Sequence, residues 1–318
     1  MLDDLDIGIA NALQTNARQS SEQLSAKLGV SPSTIRRRIS KLTKENVLRI
    51  VALPNPISMG FDVWALLGLT VSIGKHEEVA NHLLRYPECY SVSLCLGRYD
   101  ITVSVSFRTN EQLTEFVTNE LAKISGIEAC ETILLSHPRK YYDFIWPETE
   151  QQHHEAGDKP TGKSNNGSSH VILDQLDQLI VEQLHINASV TSAELAKKLS
   201  VSSSNVRQRM AKLIKQNAIR IIALPNPLSM GHTVWANIGM KVTLGCAQKV
   251  ADALLKYPTC YSSIISLGRF DIIAGVRFTS NEELTDFITT ELPKIQGIVR
   301  TETMLFTRPY KYYNFIWP

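Results

Sequence analysis

The sequence predicts an α+β chain made of two tandem copies of one unit, each a three-helix winged segment followed by a βαββαβ layer. Three observations carry this reading. The chain repeats itself at a fixed offset of 171 residues without a gap. Each copy begins with apolar residues at helical spacing and then changes to β-branched and aromatic runs with period-two alternation. A polar stretch rich in Gly and Ser, without apolar periodicity, separates the copies.

The repeat is legible at both ends and in the middle of each copy. Leu2-Asp3-Asp4-Leu5-Asp6 recurs as Leu173-Asp174-Gln175-Leu176-Asp177, and Ala52-Leu53-Pro54-Asn55-Pro56 recurs as Ala223-Leu224-Pro225-Asn226-Pro227. Leu96-Gly97-Arg98 returns as Leu267-Gly268-Arg269, and Phe144-Ile145-Trp146-Pro147 as Phe315-Ile316-Trp317-Pro318. About half the aligned positions are identical. The period is too long for a solenoid, so each copy is a complete module. The expected divisions are residues 1–52 and 172–223 for the helical segments, 53–147 and 224–318 for the sheet layers, and a flexible linker over 148–171. His153 and His154 in that linker read as solvated residues rather than metal ligands.

Within residues 3–15, Leu5, Ile9 and Leu13 have helical spacing, and a second helix runs over Ser21–Leu28. Gly29 suits the left-handed position that ends a helix. Ser31 and Pro32 suit the start of a third helix, which runs to about Glu45. On that helix Ile35, Ile39 and Leu42 share a narrow arc, and Ser33, Arg37, Ser40, Lys41 and Lys44 point the other way, with Arg36 and Arg38 on the flanks. A short helix, a tight turn and a helix with an apolar back and a basic front is the helix-turn-helix design. A merely soluble face would mix charge signs, but Glu45 is the only acid nearby. The candidate DNA-binding residues are Ser33, Arg36, Arg37, Arg38, Lys41 and Lys44, with Ser204, Arg207, Gln208, Arg209, Lys212 and Lys215 in the second copy. Val47–Leu53 then reads as a wing strand.

The sheet layer follows in order: a strand over Val63–Ile73, a helix over His76–Arg85, and a strand over Tyr90–Leu96. A Gly97-Arg98-Tyr99-Asp100 turn leads into a strictly alternating strand over Ile101–Phe107, a helix over Glu111–Lys123 and a last strand over Glu128–Ser136. The order is βαββαβ, a ferredoxin-like sandwich whose open sheet invites pairing with another, and hence oligomerisation.

Composition narrows the function classes. The chain has 318 residues, 43% hydrophobic and 20% charged. No apolar run approaches the ~20 residues of a membrane span. The N-terminus is acidic and lacks the apolar region of a signal peptide. Cys89, Cys95, Cys130, Cys246 and Cys260 show no CxxC spacing, so neither a disulfide framework nor a zinc site is indicated, and a cytoplasmic location follows. Residues 1–50 hold eight basic against five acidic residues, residues 172–221 seven against four, and residues 51–147 seven against eleven. Positive charge thus lies in two blocks that could meet a polyanion. No P-loop, GxGxxG, HExxH or nucleophile elbow is present, so no catalytic residue, metal or cofactor is assigned.

The combination resembles the Lrp/AsnC, or feast/famine, family. The residues that carry the resemblance are Leu2-Asp3 through Leu5-Asp6 and Ile9, Leu24, Leu28-Gly29-Val30-Ser31-Pro32, Arg38 and Leu42, Asn55-Pro56, and Gly97 with Asp100. The resemblance implies a transcriptional regulator whose partner is double-stranded DNA. It also implies a regulation-of-amino-acid-metabolism domain that dimerises and binds a small effector such as an amino acid. It places the effector site on Gly97, Arg98, Tyr99 and Asp100, and on Gly268, Arg269, Phe270 and Asp271; the plainer reading is that Gly and Asp simply build the turn. Family members usually carry one copy per chain, so this chain is expected to be a pseudo-dimer that assembles into a homo-oligomer. The aromatic tails Tyr141–Pro147 and Tyr312–Pro318 are not expected of the family and read as packing segments.

The rival reading is a tetrapyrrole decarboxylase of siroheme type, since those enzymes resemble Lrp/AsnC proteins and use two homologous modules. His76, His82, His185 and His232 are not shared between the copies, and His137 aligns with Arg308. That removes a duplicated histidine site, while the basic front kept in both third helices favours DNA.

Overall fold

The structure is a computed structural model that describes residues 2–136 and 171–311 apart from positions 16, 18, 57, 227, 228 and 230. Residues 148–170 of the expected 148–171 linker, which include His153 and His154, lie outside the described residues, as do His137 and both aromatic tails. The first copy comprises α1 (Asp4–Thr15), α2 (Ser21–Leu28), α3 (Pro32–Lys44), β1 (Leu48–Pro54), β2 (Val63–Val71), α4 (His76–Leu83), β3 (Cys89–Leu96), β4 (Ile101–Phe107), α5 (Asn110–Glu115) and β5 (Ile127–Leu135). The second repeats the order as α6 (Gln175–Ile186), α7 (Ser192–Leu199), α8 (Ser203–Lys215), β6 (Ile219–Pro225), β7 (Val234–Val242), α9 (Ala247–Leu254), β8 (Cys260–Leu267), β9 (Ile272–Phe278), α10 (Asn281–Asp286) and β10 (Ile298–Lys311).

Like parts of the two copies associate. Residues up to 60 with 171–231 form one compact unit, and residues 61–136 with 232–311 form a second. β1 runs through Pro54, so the strand continues beyond residue 52, where the sequence suggested a domain boundary.

In the first unit the expected wing is a correction: β1 forms no wing within its own copy but pairs antiparallel with β6. The register places Val51 opposite Ile222, its own counterpart 171 residues on, with Leu48 opposite Pro225 and Pro54 opposite Ile219. A pseudo-twofold axis therefore passes through the ribbon, the isologous geometry of a twofold dimer held in one chain. Asn55 N–H donates to Ala218 carbonyl and Asn226 N–H to Val47 carbonyl, each at 2.8 Å. The helical cores are shared across the axis: Ala223 packs with Ile9, Leu13, Leu24, Ile35 and Leu42, and Ala52 with Ile180, Leu184, Leu195, Val206 and Leu213. Each fully buried Leu or Ile contributes roughly 1.5–3 kcal/mol of transfer free energy, so the ribbon joins two cores that each need the other copy's strand.

In the second unit each copy forms a four-stranded antiparallel sheet of ferredoxin-like order, β5-β2-β4-β3 and β10-β7-β9-β8. Each sheet backs onto its helices. Ala65, Leu67 and Leu69 of β2 and Ile101, Val103 and Val105 of β4 pack against Val79 and Leu83 of α4 and against Phe116 and Leu121. The alternation along β4 follows the sequence reading, with its odd-numbered residues all in this core. The sheet edges do not await another chain: β5 pairs β8 and β10 pairs β3, closing an eight-stranded barrel. Leu134 lies opposite Leu267 and Leu305 opposite Leu96, the same pair seen from either copy. Leu66, Tyr99, Ile133, Phe270, Ile273 and Met304, drawn from both sheets, pack together as one cluster.

One element differs in kind. The helix expected over Glu111–Lys123 is α-helical only to Glu115, then a π turn over Phe116–Glu120 and a 3-10 turn over Leu121–Lys123. Phe116 and Leu121, five apart, are both buried, and Leu121 N–H donates to Phe116 carbonyl. A π turn puts residues five apart on one face, and Phe287 and Leu292 repeat the arrangement.

Candidate DNA interface and effector site

The third helix of the first copy, α3, begins as its residues dictate. Gly29 ends α2 in the left-handed region at φ 70°. Ser31 caps α3, its hydroxyl accepting Thr34 N–H at 3.2 Å, with Pro32 in the first turn. Ile35 and Leu42 are fully buried and Ile39 is half-buried. Ser33, Arg36, Arg37, Lys41 and Lys44 lie exposed on the opposite side. In α8, Ser202 is the cap, Val206 and Leu213 are buried, and Ser204, Arg207, Gln208, Lys212 and Lys215 are exposed. Exposed Arg36 lies 3.2 Å from exposed Glu22, a solvated pair that a phosphate can displace.

Arg38 and Arg209 correct the sequence reading. The Arg38 guanidinium lies 2.7 Å from Asp3 and 3.0 Å from Asp6. That of Arg209 lies 2.6 Å from Asp174 and 2.7 Å from Asp177. Asp6 and Asp177 are each only 1% exposed, and a buried carboxylate needs a charged partner. The two arginines therefore tie the third helix of each copy to the first and are withdrawn from the free basic face. The Asp3 carboxyl sits below its ordinary value because it accepts the Asp6 N–H and, next, because Arg38 binds it. Asp174 is lowered in the same way by the Asp177 N–H and Arg209.

In the second unit the two turns meet the opposite copy. Gly97 has φ 128°, and a Cβ there would stand 2.8 Å from the Thr303 carbonyl oxygen. The turn aspartates support the backbone: Asp100 accepts Val71 N–H at 2.8 Å and Asp271 accepts Val242 N–H at 2.9 Å. The turn-building role is thus filled by both aspartates, and Asp271 is also held by Lys241 at 2.8 Å. Burial works against the Asp271 charge, yet Lys241 and the Val242 N–H outweigh it and hold the carboxyl below its usual range.

The turn arginines face glutamates that the sequence reading missed. Arg98 Nε and the Tyr99 hydroxyl both donate to Glu131, at 3.0 and 2.8 Å. Burial first, and then the Glu131 carboxylate, push the Tyr99 hydroxyl up to about 12. Arg269 grips Glu302 with Nε at 3.1 Å and Nη2 at 2.8 Å, and Arg300 also binds Glu302. Burial opposes the Glu302 charge, but Arg300 and Arg269 lower its carboxyl. A cavity of about 340 Å³ opens here, lined by Gly268, Arg269 and Phe270 with Lys241, Arg300 and Glu302, and by Glu131 of the other copy. It offers fixed charges of both signs, which a zwitterion can engage. The signal for Glu131 and Glu302 was their retention at equivalent positions; nothing in the pattern marked Lys241 or Arg300. Tyr99 and Phe270 are buried at 4% and 2% exposure, so their rings serve mainly as wall. Among the described residues no cluster of three or more His, Cys, Asp or Glu could hold a metal, and no helix is long and apolar enough to cross a membrane.

A helix-turn-helix pair joined about a dyad, with a second unit of two ferredoxin-like sheets bordering a charged cavity, is the architecture of a helix-turn-helix regulator with a ligand-binding domain. Family models agree: the AsnC-type helix-turn-helix domain matches residues 2–43 and 173–214, and the Lrp/AsnC ligand binding domain matches 65–143 and 236–315. The chain belongs to the Lrp/AsnC family of transcriptional regulators. Among its relatives, the HTH-type transcriptional regulator FL11 of Pyrococcus furiosus is 32% identical over 136 residues, 42% of this chain and 89% of the relative. The HTH-type transcriptional regulator Ptr1 of Methanocaldococcus jannaschii is 31% identical over 136 residues, 42% of this chain and 92% of its own. The siroheme decarboxylase NirDL aligns over 99% of this chain and 94% of its own, with a TM-score of 0.66 at 13% identity. At that identity the likeness speaks to fold alone.

Proposed function

We propose that this chain is a sequence-specific DNA-binding regulator rather than an enzyme, that it acts in the cytoplasm, and that a small effector such as an amino acid modulates it at the two glycine-containing turns. The observation that carries the reading is the pair of exposed basic faces on α3 and α8, held about one pseudo-dyad by the β1–β6 ribbon. Two recognition helices related by a twofold match two half-sites of a duplex. Arg36, Arg37, Lys41 and Lys44, with Arg207, Lys212 and Lys215, supply the phosphate and base contacts; Ser33, Ser204 and Gln208 lie among them. Arg98 and Arg269 would receive an effector carboxylate, and Glu131 and Glu302 its ammonium group. Chains of this pseudo-dimeric kind would associate further into a homo-oligomer.

The decarboxylase reading has one observation in its favour, the likeness in fold to NirDL over nearly the whole chain. The separating test uses Arg37→Ala with Lys41→Ala. As a DNA-binding protein the double variant binds duplex DNA more weakly and with a shallower salt dependence, while its mass in solution is unchanged. Unaltered DNA affinity would refute the assignment of α3. A tetrapyrrole absorbance band that persists on the purified chain, without DNA binding, would favour the enzyme.

A further inference from the structure

The exposed faces of α3 and α8 keep most of their basic residues and differ at a few positions. At equivalent positions Lys41 and Lys212, Lys44 and Lys215, and Ser33 and Ser204 are the same residue types, and all are exposed. Arg37 is replaced by Gln208, and Ser40 by Ala211. Arg36 is tethered by Glu22, whereas Ala193 stands at the position equivalent to Glu22 and leaves Arg207 untethered. Among the described residues the Arg37 and Gln208 side chains engage no protein partner. Both project from the second turn of their helices on the exposed side, between the buried positions Ile35 and Leu42 or Val206 and Leu213.

Phosphate contacts fix register and orientation, and base contacts specify sequence. Arginine pairs in bidentate fashion with the O6 and N7 of guanine, and glutamine with the N6 and N7 of adenine. A dimer of identical chains must present the same reader to both half-sites. This chain need not, because its two readers are separate residues of one polypeptide, and the ribbon register relates Arg37 to Gln208 by the pseudo-dyad.

We infer that the chain recognises an intrinsically asymmetric operator: two half-sites of common spacing and common phosphate contacts that differ at one base pair, with guanine read by Arg37 in one half and adenine read by Gln208 in the other. The inference rests on the proposed DNA-binding function and sharpens it by naming the specificity-determining pair. Bound to such an operator, the chain has a single orientation, so a promoter would present it with a defined front and back.

The test selects duplexes from a randomised library with the intact chain and with three variants: Gln208→Arg, Arg37→Gln, and the exchange carrying both. The wild-type consensus is expected to be bipartite with one guanine half and one adenine half, favoured about tenfold over either symmetric duplex, as one bidentate contact provides. Q208R should shift to the guanine palindrome and R37Q to the adenine palindrome. The exchange variant should recover the same asymmetric duplex as wild type, which also shows that the substitutions leave the fold intact. A palindromic wild-type consensus, or the same consensus from wild type and Q208R, overturns the inference while leaving DNA binding in place. Failure to enrich any sequence over background overturns the DNA-binding reading as well.

Discussion

Gly68→Ala is the sharpest perturbation of the barrel. A Cβ on Gly68 would stand 2.5 Å from three ring atoms of Tyr99, about 1 Å closer than ordinary van der Waals contact. The ring is 4% exposed and its hydroxyl is anchored to Glu131 at 2.8 Å, so it has no open space to enter. Overpacking of this kind costs about 1–3 kcal/mol, and loss of the hydroxyl bond adds about 1 kcal/mol. G68A should therefore destabilise the chain by about 3 kcal/mol in urea unfolding followed by circular dichroism. Tyr99→Ala alone should cost about 3–5 kcal/mol, the range for a large buried aromatic. In a Y99A background, adding Gly68→Ala should cost almost nothing because the ring it would strike is gone. The double-mutant cycle should thus return a coupling of about 2–3 kcal/mol. Additive effects of the two substitutions would refute the close approach of ring and strand. Gly239 and Phe270 form the equivalent pair at 2.6 Å; the Phe270 ring lacks a hydroxyl, so the coupling there should be smaller by about 1 kcal/mol.

Other substitutions test the remaining contacts. Ser200 ends α7 at φ 56° where Gly29 serves in the first copy; Ser200→Gly should stabilise the chain by about 1 kcal/mol, read as a melting temperature raised by a few degrees, since the left-handed region penalises a side chain. Arg38→Met should lower the melting temperature by stranding the buried Asp6 carboxylate, and adding Asp6→Asn should recover part of the loss; a neutral Arg38→Met would show that the pair is not formed. Asp3, Asp174, Asp271 and Glu302 all have lowered carboxyl pKa values in the fold. Their contribution is therefore present above the unfolded value of about 4 and lost as pH falls through the lower folded values. The melting temperature should drop on acidification below about pH 4, and less steeply in Asp271→Asn, whose side chain does not titrate.

The local elements were legible because their signals are local. The Ser31-Pro32 start, the Gly29 stop and the alternation along β4 each follow from the conformational preference or side-chain direction of a few residues. The partner of β1 was not legible, because a β-branched run states that a strand forms and leaves open what it pairs with. In this chain the pairing depends on a dyad at Val51 and Ile222 that only the folded ribbon reveals. Helical periodicity places Arg38 on a flank of the basic face of α3 but does not show the Asp6 carboxylate, 32 residues away, that meets it. The joint recurrence of Asp3, Asp6 and Arg38 as Asp174, Asp177 and Arg209 was a signal that could have exposed the tie. The π turn had one too, in buried apolar residues five apart at Phe116 and Leu121 and again at Phe287 and Leu292. For the candidate effector turns, the sequence marks Gly97–Asp100 and Gly268–Asp271. The facing residues Lys241, Arg300 and Glu302 come from β7 and β10 of the same sheet as the second turn, and barrel closure adds Glu131 of the other copy; none of this is visible in the local pattern.

The most direct test of DNA recognition is fluorescence anisotropy of the intact chain titrated into its own upstream promoter duplex and into a scrambled duplex, each at two salt concentrations. Tighter binding to the promoter, weakening as salt rises through counterion release, is the predicted result. No binding to either duplex at low salt would contradict it.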